Sequence, residues 1–115
     1  MYFTIKSYKR YLPEVFKISA ETLDKKENLE QGTTERTSGI SSRYIFPPFV
    51  TQSLAMSRCI QEMCYRNKNA LLNDIDLIIN CSATTEQALP NTASAIIKHL
   101  QLNIAGIDVN LSCLS

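Results

Sequence analysis

Apolar residues recur at helical spacing over residues 51–67 (TQSLAMSRCIQEMCYRN). Side chains three and four positions apart share one face of a helix, so this pattern predicts a helix with one apolar face. Thr51 is a plausible N-cap. The predicted core side chains of this helix include both of its cysteines: Met56, Cys59, Ile60, Met63 and Cys64.

The following segments alternate between strand and helix patterns. Residues 75–81 (IDLIINC) and 104–111 (IAGIDVNL) are short, mostly apolar runs typical of strands in a parallel sheet. Between them, residues 90–100 (PNTASAIIKHL) carry an apolar stripe at helical spacing, with Pro90 at the first helical position. This order predicts a βαβ unit with parallel strands and a right-handed crossover, and it places Cys81 in the interior near a strand end.

The first half of the chain is more polar. Residues 2–7 (YFTIKS) alternate as in a strand, and Pro13 interrupts the pattern further along. Residues 19–32 predict a polar helix with Ser19 as N-cap, followed by a loop over residues 33–43. Residues 44–49 (YIFPPF) contain two prolines and are expected to be extended or to turn.

Composition narrows the class of protein. A chain of 115 residues with 44% hydrophobic residues fits one globular domain. A net charge of +1 does not indicate a nucleic-acid or anionic-membrane partner. No apolar window is long enough for a membrane span, and the N-terminus lacks the apolar region of a secretory signal, so we expect a cytoplasmic protein.

The chain has four cysteines and one histidine, His99, and none of the cysteines forms a C-x-x-C pair. This pattern argues against a zinc site and favours free thiols in a reducing compartment. We expect no metal. His99 falls near the end of a predicted helix, where a solvent-facing histidine favours the helix dipole when it is charged.

Cys113 follows the second predicted strand directly. Reacting groups gather at the carboxyl ends of parallel strands, and a cysteine at the start of a following helix would be stabilised as a thiolate. These features make Cys113 a candidate nucleophile. A buried structural cysteine is the alternative at this point.

Five segments, in order, resemble the β-ketoacyl-acyl carrier protein synthase III family of the thiolase superfamily. The segments are YLPE (11–14), SGISSRYI (38–45), NDIDLIINCSAT (73–84), ALPNTASAIIKHLQL (88–102) and IDVNLSC (107–113). The last places Asp108 five residues before Cys113, as in the nucleophile motif of the family. The resemblance implies an α/β fold, namely the N-terminal half of a thiolase-like fold with a mixed sheet and βαβ crossover helices, over residues 1–115.

The resemblance also implies a reaction. Cys113 would take an acyl group from a thioester, and a malonyl carrier would then decarboxylate and condense with it, as in fatty acid or polyketide-type synthesis. No bound cofactor is implied; the substrate is an acyl-ACP or acyl-CoA thioester, and acyl carrier protein is the expected partner. A histidine and an asparagine in the second half of the fold assist decarboxylation, so we expect this stretch alone to be inactive and to need a missing C-terminal half.

Some positions depart from the family pattern. The chain has no tryptophan, and Thr37 stands where an arginine would contact coenzyme A, which favours a carrier-protein thioester. Ser115 stands where a glycine is usual. Leu89 takes the place of a residue that reaches toward the acyl pocket of the partner subunit, which implies a homodimer; ordinary core packing is the alternative for Leu89.

Three functional hypotheses remain from the sequence. The first is part of a condensing enzyme with Cys113 as nucleophile. The second is a non-catalytic subunit of a ketosynthase heterodimer, which is compatible with Ser115 at the usual glycine position. The third is a small α/β binding domain without chemistry, which explains the composition but not the five ordered matches.

Overall fold

A computed structural model describes residues 1–66 and 72–110. The chain divides into two compact units. One comprises residues 1–11 and the described residues from Val50 onward, and the other comprises Leu12–Phe49. Each unit is built around its own pair of strands.

The predicted βαβ unit is present. Strand β3 (Leu77–Cys81) and strand β4 (Ala105–Val109) are parallel, and helix α4 (Thr92–Leu100) connects them. The predicted start of the helix was wrong, because Asn91 is the N-cap and its side chain accepts a hydrogen bond from the Ser94 N–H at 2.8 Å. Pro90 therefore precedes the cap instead of occupying the first helical position.

The core of this unit lies between α4 and one face of the sheet. The apolar stripe predicted on α4 is confirmed, since three of its side chains are buried together with one residue of β3: Ala93, Ile96, Leu100 and Ile78. Ile97 is partly buried against the same cluster. Burial of an aliphatic side chain contributes about 1.5–3 kcal/mol, so this cluster is a main source of stability for the unit.

Gly106 allows α4 to lie close to β4. A Cβ atom at this position would lie 2.6 Å from Ile97 Cδ1 and 3.1 Å from the Cβ of Ala93. The first contact involves the end of a flexible side chain, whereas the second involves an atom fixed by the helix backbone. The absence of a side chain at Gly106 therefore sets the distance between helix and strand.

Helix α3 (Gln52–Arg66) confirms the helix predicted from the periodicity, and the Leu54 N–H donates to the Thr51 hydroxyl at 3.3 Å, as expected for a cap. Its buried residues are two serines, Ser53 and Ser57, while both cysteines of the helix are only half-buried. Placing those cysteines fully in the core was wrong. The Ser57 hydroxyl donates to the Ser53 carbonyl at 2.6 Å, so its burial leaves no unmet hydrogen bond.

The outer face of the sheet is partly exposed. Along β3, Ile78 and Asn80 are buried toward α4, whereas Leu77, Ile79 and Cys81 point to the other side. Cys81 is exposed, so the prediction that it is buried was wrong. Side chains alternate along a strand, and an apolar run does not reveal which face the helix covers.

The Leu12–Phe49 unit differs more from the prediction. It contains strands β1 (Lys17–Ser19) and β2 (Ser42–Tyr44), which pair antiparallel, and helices α1 (Ala20–Lys26) and α2 (Thr33–Ser38). Ser19 caps α1 as expected, but this helix ends six residues before Gly32, and α2 occupies part of the predicted loop.

The buried carboxylate of Asp24 explains the second helix. It accepts hydrogen bonds from the Gly32 N–H at 2.7 Å, the Thr34 N–H at 2.9 Å and the Thr34 hydroxyl. The Thr34 hydroxyl, helped by the backbone N–H groups, lowers the pKa of Asp24 despite its burial. The ionised Asp24, which lies on α1, therefore accepts hydrogen bonds from the N-terminus of α2.

The predicted strand over residues 2–7 is not formed, and the side chains of Phe3 and Ile5 are exposed. Alternation indicates a strand only where a neighbouring strand accepts its backbone hydrogen bonds. Further along the same segment, Lys9 Nζ forms an ion pair with Glu62 Oε2 of α3 at 3.0 Å.

We expect Gly106→Ala to destabilise the protein by about 1–3 kcal/mol, because the new methyl group overpacks the boundary between α4 and β4. Ile97→Val removes the Cδ1 atom that the methyl group meets first. The double variant should therefore lose less stability than the sum of the two single variants, as measured by urea denaturation. Strict additivity would show that the helix does not approach the strand at this position.

Candidate functional site

Two polar residues occupy neighbouring positions near the carboxyl end of the parallel strands. Asn80 of β3 and Asp108 of β4 are register partners. Asn80 is buried and Asp108 is half-buried. Because the carboxyl ends of parallel strands are where α/β folds place reacting groups, this pair marks a candidate site.

Asp108 bridges β4 to the first turn of α4. Its Oδ2 accepts the Thr92 N–H at 2.9 Å, and its Oδ1 accepts the Ala93 N–H at 2.8 Å. The first amides of a helix have no partner within the helix, and both residues here are buried from water. We call this arrangement, Asp108 with the backbone N–H groups of Thr92 and Ala93, the Asp108 clamp.

The electrostatics of the clamp favour an ionised carboxylate. Burial raises the pKa of Asp108, but the neighbouring polar groups, the Ala93 and Thr92 N–H groups foremost, together outweigh burial, and its pKa lies below the ordinary value. The positive end of the helix dipole acts in the same direction. Asp108 therefore carries a negative charge at neutral pH that is compensated by the helix.

Two buried polar atoms adjoin the clamp. The Asn80 amide nitrogen Nδ2 and the Thr92 hydroxyl Oγ1 make no hydrogen bond of good geometry within the described part of the chain. Both groups nevertheless help to lower the pKa of Asp108. Buried polar atoms without a partner are uncommon in native structures.

Cys113, the predicted nucleophile, lies outside the described residues, as does Leu111, the predicted end of the last strand. The described chain leads to residue 110, just beyond the end of β4 at Val109. The role of Cys113 stays a prediction. Of its motif, residues 107–113, the structure describes residues 107–110, which include Asp108.

Leu89 lies in the segment before α4, and 86% of its surface is exposed. Its role at an acyl pocket and the alternative of ordinary core packing both stay predictions. His99 is exposed in the last turn of α4, as expected.

Sequence reasoning missed one interaction that fixes the segment between β3 and α4. The carboxylate of Glu86 accepts hydrogen bonds from the backbone N–H of Ser53 and, at 2.9 Å, from its hydroxyl. Glu86 therefore provides hydrogen-bond acceptors at the N-terminus of α3, although it lies 33 residues after Ser53 in the chain. No local sequence pattern predicts such a contact, because capping motifs lie within a few residues of the helix N-terminus.

Among residues 1–66 and 72–110, no group of three or more His, Cys, Asp or Glu side chains is arranged to hold a metal ion. The helices in the same ranges are all too short or too polar to cross a bilayer.

Comparison with known proteins identifies the fold. The β-ketoacyl-[acyl-carrier-protein] synthase III 1 of Deinococcus radiodurans is 28% identical over 104 residues, which make up 90% of this chain and 30% of that protein. The crystal structure of 3-oxoacyl-[acyl-carrier-protein] synthase III from Aquifex aeolicus superposes with a TM-score of 0.69 and 23% identity, over 86% of this chain and 32% of that one. No protein-family model matches.

The structure of a second protein is also similar. The E117Q variant of OleA from Xanthomonas campestris superposes with a TM-score of 0.68 and 19% identity, over 85% of this chain and 32% of that one. The chain thus spans about a third of the length of these proteins. The resemblance to β-ketoacyl-ACP synthase III is confirmed, and the fold is a portion of a mixed α/β, thiolase-like fold.

We expect Cys81 to react fastest with iodoacetamide among the three described cysteines of the native chain. Cys81 is exposed, whereas burial is the main cause that raises the pKa of the half-buried Cys59 and Cys64. Because the thiolate is the reacting form, both effects slow the cysteines of α3. Peptide mass mapping over a time course measures the order, and equal rates in urea provide the control. Faster labelling of Cys59 or Cys64 under native conditions would contradict the described strand orientation.

Proposed function

We propose that this chain is the nucleophile-bearing part of a β-ketoacyl-ACP synthase III-like condensing enzyme. The observation that carries the proposal is the Asp108 clamp at the carboxyl end of two parallel strands in a thiolase-like fold, five residues before Cys113. The similarity to the β-ketoacyl-[acyl-carrier-protein] synthase III 1 of Deinococcus radiodurans over 90% of this chain supports it.

In the proposed reaction, the Cys113 thiolate attacks the carbonyl carbon of an acyl thioester. The carbon–sulfur bond to the carrier breaks, the carrier leaves as a thiol after taking up a proton, and the acyl group stays on Cys113 as a new thioester. Exchange of one thioester for another is nearly balanced in free energy, so the acyl group remains activated for the next step.

The second step is decarboxylative condensation. A malonyl thioester loses CO₂, and the electron pair of the broken bond forms a carbon nucleophile. This carbon attacks the acyl carbon on Cys113, the carbon–sulfur bond breaks, and the cysteine returns to the thiolate while a β-ketoacyl thioester leaves. The histidine and asparagine implied for this step belong to the second half of the fold, so residues 1–115 alone are proposed to be inactive in condensation.

The proposed substrates and partners follow from the same resemblance. The acyl donor is an acyl-ACP, favoured over acyl-CoA by the absence of tryptophan and by Thr37 at the arginine position. The exposed Leu89 is proposed to contact the acyl chain across a homodimer. We propose that the enzyme acts in the cytoplasm, in fatty acid or polyketide-type synthesis, without a bound cofactor.

A non-catalytic subunit of a ketosynthase heterodimer is the second candidate. Ser115, at a position where the family usually has glycine, is the observation that favours it. In that case Cys113 would be present but would not accept an acyl group.

The test is acyl transfer to the protein at its natural length. After exposure to an acyl-ACP, peptide mass mapping should find the acyl group on Cys113. Cys113→Ala should abolish the label, and Cys81→Ala, which removes an exposed thiol on the neighbouring strand, should retain it. Absence of label on Cys113, or equal labelling of Cys81, would refute the proposed enzymatic function. The non-catalytic subunit would then be the better account.

A further inference from the structure

We propose that Glu86 is a positioning residue: by binding the first turn of α3, it fixes residues 83–90 and so sets the position of Leu89. We call residues 83–90, which lie between β3 and α4, the β3–α4 segment. The inference rests on the proposed function, in which Leu89 contacts the acyl chain. It gives Glu86 an influence on which acyl chains the protein accepts.

The β3–α4 segment is held in place mainly from outside. Its residues are all exposed, and none belongs to a helix or strand. Two of its hydrogen bonds are local: the Thr84 N–H donates to the Ser82 hydroxyl at 3.2 Å, and Gln87 Nε2 donates to the Pro90 carbonyl at 3.4 Å. Among the described residues, the hydrogen bonds that join this segment to another helix or strand are those between Glu86 and Ser53.

The contact between Glu86 and Ser53 is a two-point attachment. One carboxylate oxygen accepts the backbone N–H of Ser53, and the other accepts its hydroxyl at 2.9 Å. Ser53 is 1% exposed, and an amide in the first turn of a helix has no acceptor within the helix. A negative charge at this end of a helix is also favoured by the helix dipole.

The local cap of α3 does not duplicate this attachment. The Thr51 hydroxyl accepts the N–H of Leu54 at 3.3 Å, one residue beyond the amide that Glu86 binds. Thr51 therefore stabilises the helix from its own sequence neighbourhood, whereas Glu86 connects the helix to the β3–α4 segment.

Glu86 determines how much of the chain around Leu89 is free. Leu89 lies between Glu86 and Asn91, the N-cap of α4, so the stretch between these two fixed points is residues 87–90. Without Glu86 the nearest fixed point before Leu89 is Ser82, whose N–H donates to the Val109 carbonyl at 3.3 Å. The free stretch then becomes residues 83–90, and a longer loop has more conformations available.

Loss of this attachment has a distinctive consequence for the reaction. In the proposed function, Leu89 contacts the acyl chain, so its position affects acyl chains long enough to reach it and leaves short ones unaffected. Displacement by about 1 Å can change a rate by up to about a hundredfold. A purely structural role of Glu86 would instead change the rates for short and long chains by the same factor.

The experiment compares four variants of the protein at its natural length: Leu89→Ala, Glu86→Ala, Glu86→Gln and Thr51→Ala. Glu86→Ala removes both acceptor oxygens. Glu86→Gln keeps one oxygen for the Ser53 N–H and places an NH₂ group beside the Ser53 hydroxyl, so it should restore much of the attachment. Thr51→Ala is the matched control, because it weakens the same end of α3 and leaves the Glu86 contact in place.

The first measurement is the ratio of the rates of acyl transfer from octanoyl-ACP and from acetyl-ACP. We expect Leu89→Ala to change this ratio by about fivefold or more, since the fit of a single methylene group can change selectivity by about tenfold. Glu86→Ala should change it in the same direction by about twofold or more. Glu86→Gln and Thr51→Ala should stay close to the wild-type ratio.

The second measurement is the rate at which elastase, which cleaves after small side chains, cuts the native protein within residues 83–90. The cut sites are identified by peptide mass. Glu86→Ala should be cut about tenfold faster than the wild type, because the longer free stretch enters the protease more readily. Thr51→Ala should be cut at nearly the wild-type rate.

An unchanged ratio in Glu86→Ala, with a changed ratio in Leu89→Ala, would overturn the inference and leave the proposed function intact. An unchanged ratio in Leu89→Ala would overturn the role of Leu89 and the inference with it, while acyl transfer to Cys113 would still support the enzyme. Should Cys113 accept no acyl group at all, the proposed function fails. Elastase then decides whether Glu86 positions the segment: faster cutting of Glu86→Ala alone supports it, and equal rates refute it.

Discussion

The hydrogen bonds between Asp108 and the first turn of α4 join the three elements on which the described site depends. They connect the last residues of β4 to the helix that crosses over from β3, at the end of the sheet where Asn80 lies beside Asp108. The contact is possible because Gly106, two residues earlier, lets the helix approach the strand without a clash. Packing and polar contact therefore support one another along the same face of β4.

The two faces of this sheet have different characters. The face toward α4 combines the buried Ile78 with the polar pair Asn80 and Asp108, whereas the outer face presents Leu77, Ile79 and Ile107 with about half of each side chain exposed. The outer side chains are apolar enough to be mistaken for core in the sequence. This explains why the strand itself was predictable while the burial of Cys81 was not.

Interactions close in sequence were predicted well. The strands and helix of the βαβ unit follow from short apolar runs and an amphipathic segment, and Ser19 caps a helix as its position indicates. Elements that depend on distant partners were not predicted. Helix α2 requires the buried carboxylate of Asp24, ten residues before Thr34. Residues 2–7 have no neighbouring strand within the described part of the chain, although their alternation requires one. The clamp itself depends on strand register and helix placement, so the sequence indicated Asp108 only through its motif.

The central claim is that Asp108 holds the buried amides of Thr92 and Ala93, and native-state hydrogen exchange of these two amides tests it most directly. First-turn amides of a helix have no intrahelical acceptor and ordinarily exchange fast. The clamp predicts that both exchange as slowly as the Ile97 amide inside α4, and that Asp108→Ala, which removes both acceptor oxygens, abolishes their protection while the Ile97 amide stays protected. Fast exchange at Thr92 and Ala93 in the native protein, or protection that survives Asp108→Ala, would contradict the account.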